Sequence, residues 1–261
     1  MGKVYLVGAG PGDPELITVK ALKCVQQADV ILYDRLVNKE LLQEARPDVD
    51  LIYCGKLPNL HTMKQETINH LLVKYASRGK VVTRLKGGDP YVFGRGAEEA
   101  EALAKRGLDY EVLPGVTAGI AAPAYADIPV THRELASSFA VVTGHRPKGK
   151  PKDIDWESLA KSVDTLAIYM GIGNLPYICE QLLKYKEDTP VGIIQQGTTE
   201  NQQVVTGTLK SIVHLVEKAD IKNPAMIIVG EVVRFRDRLQ QFKLLSQQQH
   251  SDYSSIKLEK A

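Results

Sequence analysis

Between Lys3 and about Ala126 the chain alternates short runs rich in β-branched residues with longer stretches of helical period, and that alternation leaves few folds open to it. The runs are Val4–Val7, Val30–Tyr33, Val49–Tyr53, Val81–Leu85 and Tyr110–Leu113. Between them, Leu16, Val19, Leu22 and Val25 make one apolar stripe, and Ile68, Leu71, Leu72 and Tyr75 make another. Strand and helix in series predict a βαβ domain with a parallel sheet, and the stripes predict helix faces packed on it. In such a sheet the loops leaving the carboxyl ends of the strands gather along one edge. Two of these loops are glycine-rich: Gly8-Ala9-Gly10-Pro11-Gly12-Asp13-Pro14 after the first run, and Gly87-Gly88-Asp89-Pro90 after the fourth.

The second half repeats the mixed pattern without a recognisable internal repeat. Ile128-Pro129-Val130 and a Pro/Gly/Lys-rich segment at 146–152 flank a run at Ser138–Thr143, which places a junction near residues 114–137. Runs at Thr165–Met170, Pro190–Gln195, Gln203–Gly207 and Ala225–Val229, with helices near 174–185 and 208–219, predict a second α/β unit. The expected division is therefore 1–126 and 127–245. Residues 246–261 begin a Gln- and Ser-rich segment without apolar period and are expected to be a mobile tail.

Of the 261 residues, 44% are hydrophobic and 25% charged, the balance of a globular chain with a sizeable core. A net charge of +2 is too small for the field that nucleic-acid binding requires. The basic run Arg146-Pro147-Lys148-Gly149-Lys150-Pro151-Lys152 reads as a solvated linker, with a substrate patch as the alternative. Cys24, Cys54 and Cys179 are too few and too widely spaced for a disulfide framework or a zinc site, and no histidine has ligand spacing, so no metal is expected. The start lacks a basic-then-apolar leader, and no apolar run is long enough to span a bilayer. A cytoplasmic chain without membrane or nucleic-acid partners is the expectation.

The run Arg84-Leu85-Lys86-Gly87-Gly88-Asp89-Pro90-Tyr91-Val92-Phe93-Gly94-Arg95-Gly96-Ala97-Glu98-Glu99 combines glycines that allow close backbone approach with fixed charges that orient a ligand. The first glycine loop is not a dinucleotide fingerprint, because Asp13 stands where that pattern needs its third glycine and Pro11 and Pro14 stiffen the turn. Taken in order, these two loops with Tyr33-Asp34-Arg35-Leu36-Val37, Gly55-Lys56, Pro114-Gly115-Val116-Thr117-Ala118, Tyr169-Met170-Gly171, Gly197-Thr198 and Pro224-Ala225 resemble the tetrapyrrole methylase family over roughly residues 2–240. Asp34-Arg35-Leu36-Val37 and Phe93-Gly94-Arg95-Gly96 resemble the branch of that family that acts on uroporphyrinogen III.

The resemblance implies two α/β domains with the active site in the cleft between them, a homodimer, and C-methylation of uroporphyrinogen III at C2 and C7. The product is precorrin-2, reached through precorrin-1, on the way to sirohaem or cobalamin, with S-adenosylmethionine as donor and S-adenosylhomocysteine as by-product. Later steps, which some relatives carry out in a fused module, are expected to belong to other proteins. Pro11, Gly87, Gly88, Asp89, Val92, Thr117, Ala118, Met170, Gly197 and Ala225 are the implied cofactor contacts. Met170 fits core filling equally well. Eight substrate carboxylates call for forked cations, and the candidates are Arg35, Arg84, Arg95, His132, Arg133 and Arg146, with Glu98 beside them. Asp34 is the implied proton acceptor and Lys56 the implied proton donor. From the residues alone, Asp34 equally suits a helix cap or a ribose ligand, and Lys56 a solvated charge. Glu98 is a further candidate base.

Other readings are a corrin-ring methylase of different regiochemistry, a nucleotide-dependent oxidoreductase, and a non-catalytic tetrapyrrole sensor. One departure from the family pattern is Ala97, where a second glycine is usual. An alanine there predicts right-handed helical geometry, since positive φ would strain it.

Overall fold

The computed structural model describes residues 2–55, 63–145, 154–243 and 245. The chain divides into two compact units, one running to Ala121 and joined by Thr198–Glu200, the other from Ala122 to Gly197 and from Asn201 onwards.

In the first unit the elements run β1 (Lys3–Gly8), α1 (Val19–Gln27), β2 (Val30–Tyr33), α2 (Glu40–Gln43), β3 (Asp50–Tyr53), α3 (Gln65–Ser77), β4 (Val81–Lys86), α4 (Gly96–Ala104) and β5 (Asp109–Leu113), followed by the start of α5 (Ala118–Tyr125). The five strands form one parallel sheet in the order β3-β2-β4-β1-β5. Both faces are covered, as all-parallel sheets require. Val4, Leu6, Val30, Leu32 and Val82 pack with Ile68, Leu72 and Leu103 on one face, while Val7, Ile31 and Leu85 pack with Ala21, Val25 and Leu113 on the other.

The expected stripe on α1 is corrected by the structure. Its buried residues are Ala21, Cys24 and Val25, whereas Val19 is 73% exposed and Leu16 lies outside the helix. Thr18 caps α1 by accepting the Ala21 N–H at 3.1 Å, so the helix begins only at Val19. Residues spaced strictly by three also drift about 60° per step around an α-helix and leave a single face. On α3 the pattern fits better: Ile68 and Leu72 are buried with Ala76.

The second unit holds β6 (Phe139–Thr143), α6 (Trp156–Ser162), β7 (Thr165–Tyr169), α7 (Leu175–Leu183), β8 (Pro190–Gln195), β9 (Gln203–Thr208), α8 (Ile212–Lys218) and β10 (Ala225–Val229). Its sheet order is β6-β7-β10-β8-β9, with β6 and β7 parallel and the remaining pairings antiparallel. Leu175, Ile178 and Leu182 of α7 and Ile212 of α8 cover Leu166, Ile168, Ile193 and Ile227. No helix among the described residues is long and apolar enough to cross a membrane.

Candidate active site

The loops after β1, β4 and β5 are tied together through backbone. Gly88 N–H donates to Gly10 O at 2.6 Å, Gly10 N–H returns to Gly88 O at 3.3 Å, and Ala9 N–H reaches Lys86 O at 2.8 Å. Asp89 holds the third loop: Oδ2 accepts the Gly115 N–H at 3.0 Å, while Oδ1 accepts from Tyr91 and Val92. The close approach is possible because Gly8 and Gly115 lack side chains. A Cβ on Gly8 would stand 2.5 Å from Gly115 N, and one on Gly115 would overlap Gly88 O. Gly88 differs. Its φ is +70°, and a Cβ built there meets nothing closer than Thr117 Cα at 4.0 Å, so it faces open space along this edge.

Beside these loops lies a cluster of four charges. Arg84 and Lys86 alternate on one face of the central strand β4, and both are buried. Arg84 Nη2 donates to Asp34 Oδ1 at 2.6 Å and its Nε to Glu99 Oε1 at 3.0 Å. The Lys86 ammonium lies 3.0 Å from the same Glu99 oxygen and 3.8 Å from Asp34 Oδ2. Gln65 Nε2 from α3 adds a third bond to Glu99 Oε1 at 3.2 Å. Burial opposes the Arg84 charge, yet Glu99 and Asp34 outweigh it and hold its pKa above the ordinary value. For Lys86, burial and then Arg84 pull the pKa below the ordinary value. Cys54 is pushed up to about 11 by burial.

Asp34 is the cluster's one outlet. It follows β2, its side chain is 32% exposed, and its N–H bonds Leu85 O at 3.3 Å. It caps no helix, since the next one begins at Glu40, which removes that alternative. Arg84, expected to offer its fork to substrate, is 2% exposed and turns that fork inward onto Asp34 and Glu99. Lys86 and Glu99 were not singled out from sequence. The available signal was the period of two, which places two cations on one face of a doubly covered strand, where buried charges need partners.

Arg95 and Glu98 pair instead at the surface, through bonds of 2.9 and 2.7 Å. Through this contact Glu98 raises the pKa of Arg95 above its ordinary value and Arg95 lowers that of Glu98. Arg95 has φ +61° and precedes α4, whereas Ala97 lies within the helix and takes no positive φ, as expected. Arg35 and Arg133 are exposed, and the His132 ring lies 5.0 Å from Phe235. Pro11, Gly87, Val92, Thr117, Ala118, Gly197 and Ala225 are all half-buried. Met170 is half-exposed with φ +53°, which rules out core filling. Thr198, a β-branched residue, holds φ +68° while its hydroxyl accepts the Asp13 N–H at 3.0 Å. Strained non-glycine residues of this kind concentrate at functional sites, and no sequence rule points to them. Lys56, Arg146, the basic run 146–152 and the segment 246–261 lie outside the described residues. Among the described residues no group of His, Cys, Asp and Glu could hold a metal ion.

The family model for tetrapyrrole (corrin/porphyrin) methylases matches residues 3–213. The chain belongs to the tetrapyrrole methylase family. As a family member it is 67% identical over 237 residues to a uroporphyrinogen-III C-methyltransferase of Priestia megaterium, across 90% of this chain and 100% of that one. A protein of the same name from Bacillus subtilis (strain 168) is 57% identical over 245 residues, covering 93% of this chain and 95% of the relative. The solved uroporphyrin-III C-methyl transferase of Thermus thermophilus, complexed with S-adenyl homocysteine, superposes with a TM-score of 0.75 at 40% identity, over 89% of this methylase and 94% of that chain. The tetrapyrrole methylase fold, mixed α/β with two sheets, is thus that of the family.

Proposed function

We propose that the chain is a uroporphyrinogen-III C-methyltransferase, placing methyl groups from two S-adenosylmethionine molecules on C2 and C7 to give precorrin-2 by way of precorrin-1, for sirohaem or cobalamin synthesis. The observation that carries this reading is 67% identity along the whole of a relative bearing that name. The donor's fit rests on the space at Gly88, where a left-handed glycine exposes backbone and an added Cβ would have Thr117 Cα, at 4.0 Å, as its one near neighbour. Pro11, Gly87, Asp89, Val92, Thr117 and Ala118 are the proposed contacts in the first unit, and Met170, Gly197 and Ala225 are proposed in the second. Asp89 would act through backbone, since both its oxygens are engaged with N–H groups.

Bound there, S-adenosylmethionine supplies an electrophilic methyl group. The chain's own work is to hold the ring in line with it and to move a proton, and positioning carries much of such a rate. Arg35, Arg95 and Arg133 are exposed cations suited to the substrate's carboxylates, with Glu98 holding the Arg95 fork until a carboxylate displaces it. Methylation leaves the macrocycle cationic. A ring C–H bond then breaks, its electron pair neutralises the ring, and the proton passes to the Asp34 carboxylate. Lys56 is the proposed proton donor. A cytoplasmic homodimer belongs to the same proposal.

Incubation with uroporphyrinogen III and methyl-labelled donor under anaerobic conditions should yield a macrocycle carrying two labels. A product with no label, or labelling only of an already methylated corrin, would overturn the reading. The donor site has its own test. Gly88→Ala should weaken S-adenosylhomocysteine binding at least tenfold, because its methyl group enters the open space, while positive φ costs about 1–2 kcal/mol of folding stability. Unchanged affinity by calorimetry in a folded variant would remove Gly88 from the site.

A further inference from the structure

Reading Asp34 as the proton acceptor leaves the buried members of its cluster unexplained. Glu99 is fully buried; Oε1 takes donors from Arg84, Lys86 and Gln65, while Oε2 has no partner among the described residues. Apolar side chains often replace buried ion networks without loss of stability, and an unpartnered buried oxygen opposes folding. Packing therefore gives no reason for a carboxylate here, whereas its charge does. Asp34 faces two cations, and taking up a proton forfeits the attraction of both. Glu99 offsets them, so the set carries two formal positive and two formal negative charges before the transfer.

Resting on that reading of Asp34, we propose that Lys86 and Glu99 are positioning residues of opposite sign, which set how firmly the Asp34 carboxylate holds a proton, Glu99 through Arg84 and Lys86 across its 3.8 Å approach. The groups facing Asp34 are Arg84 and Lys86 of β4, with Glu99 of α4 on the other side of both cations, the thiol of Cys54 after β3, and Arg35 next in the chain. Cys54 stays neutral, with its pKa near 11, and Arg84 is held charged, so Lys86 and Glu99 are the adjustable pair.

The test removes each charge in turn from the full chain. Glu99→Gln takes away a negative charge and should move the acidic limb of kcat/KM to lower pH; Lys86→Met takes away a positive charge and should move it to higher pH. Each shift should be about one pH unit, as for single charges a few ångströms from a carboxylate. The double variant restores the charge balance and should return the limb to its wild-type place. Carbon NMR titration of the Asp34 carboxyl without substrate should move in the same senses. A structural role alone would lower melting temperature without opposed shifts. Shifts of one sign in both variants, or none in folded protein, would overturn the proposal. Should one single variant fail to fold, the other and the double variant still fix the sign. If the wild-type chain does not methylate uroporphyrinogen III, the functional reading falls, and the carboxyl titration still decides the role of the cluster.

Discussion

Asp34→Asn should slow methyl transfer by about 10²–10⁴ while S-adenosylhomocysteine affinity stays close to wild type. The substitution keeps the side chain's shape and removes its ability to take a proton. The asparagine carbonyl oxygen can still accept from Arg84 Nη2, which now bonds Asp34 Oδ1 at 2.6 Å, so folding stability should fall by only about 1–2 kcal/mol. A ribose ligand would show itself differently, as lost cofactor affinity with little change in the chemical step. Single-turnover methylation at near wild-type rate would move the search for the base to Glu98 or to a bound water.

Arg84→Met should reduce folding stability by about 3 kcal/mol, the low end of the cost of removing one partner from a buried ion pair. The low end applies because Glu99 keeps Lys86 and Gln65 as donors. What is lost is the guanidinium joining Asp34 to Glu99, together with its bonds to Leu32 O and Leu85 O at 3.4 Å. Methionine fills much of the volume, so the loss reports charge more than cavity. Surface pairs such as Arg95–Glu98 contribute only about 0–1 kcal/mol and serve as the control. Urea unfolding gives the comparison directly. If Arg84→Met lies within experimental error of Arg95→Met, removing Arg84 leaves no uncompensated buried charge and the pairing described for Glu99 is wrong.

The strands were legible because a sheet covered on both faces writes itself as β-branched runs, and Val30–Tyr33 and Pro190–Gln195 appear in the structure with the bounds the sequence suggested. Ala97 was legible because a single Cβ decides between helix and left-handed turn. The face of α1 was not, since its phase depends on where Thr18 starts the helix. The ion cluster was least visible. Asp34, Arg84, Lys86 and Glu99 come from three elements, and their pairing is fixed by strand order rather than by spacing along the chain. Arg84 and Asp34 were both noticed, but as separate groups facing ligands, when the stronger relation is between them. The left-handed Arg95, Met170 and Thr198 escaped for a related reason: tertiary contacts impose those conformations on residues that do not prefer them.

The backbone stitching of Gly10 to Gly88, with Gly8 pressed against Gly115, bears on how such a protein could be redesigned. An insertion in any one of these loops must be answered by the other two, because each supplies wall or hydrogen-bond partner to its neighbour. Grafting a foreign loop here would therefore disturb the whole glycine edge, and with it the proposed donor site, before it altered preference for the ring. Variation is better sought at Tyr91, Phe93 and Arg95, which stand exposed on the same segment and can change shape and charge while the glycine edge beneath them keeps its form.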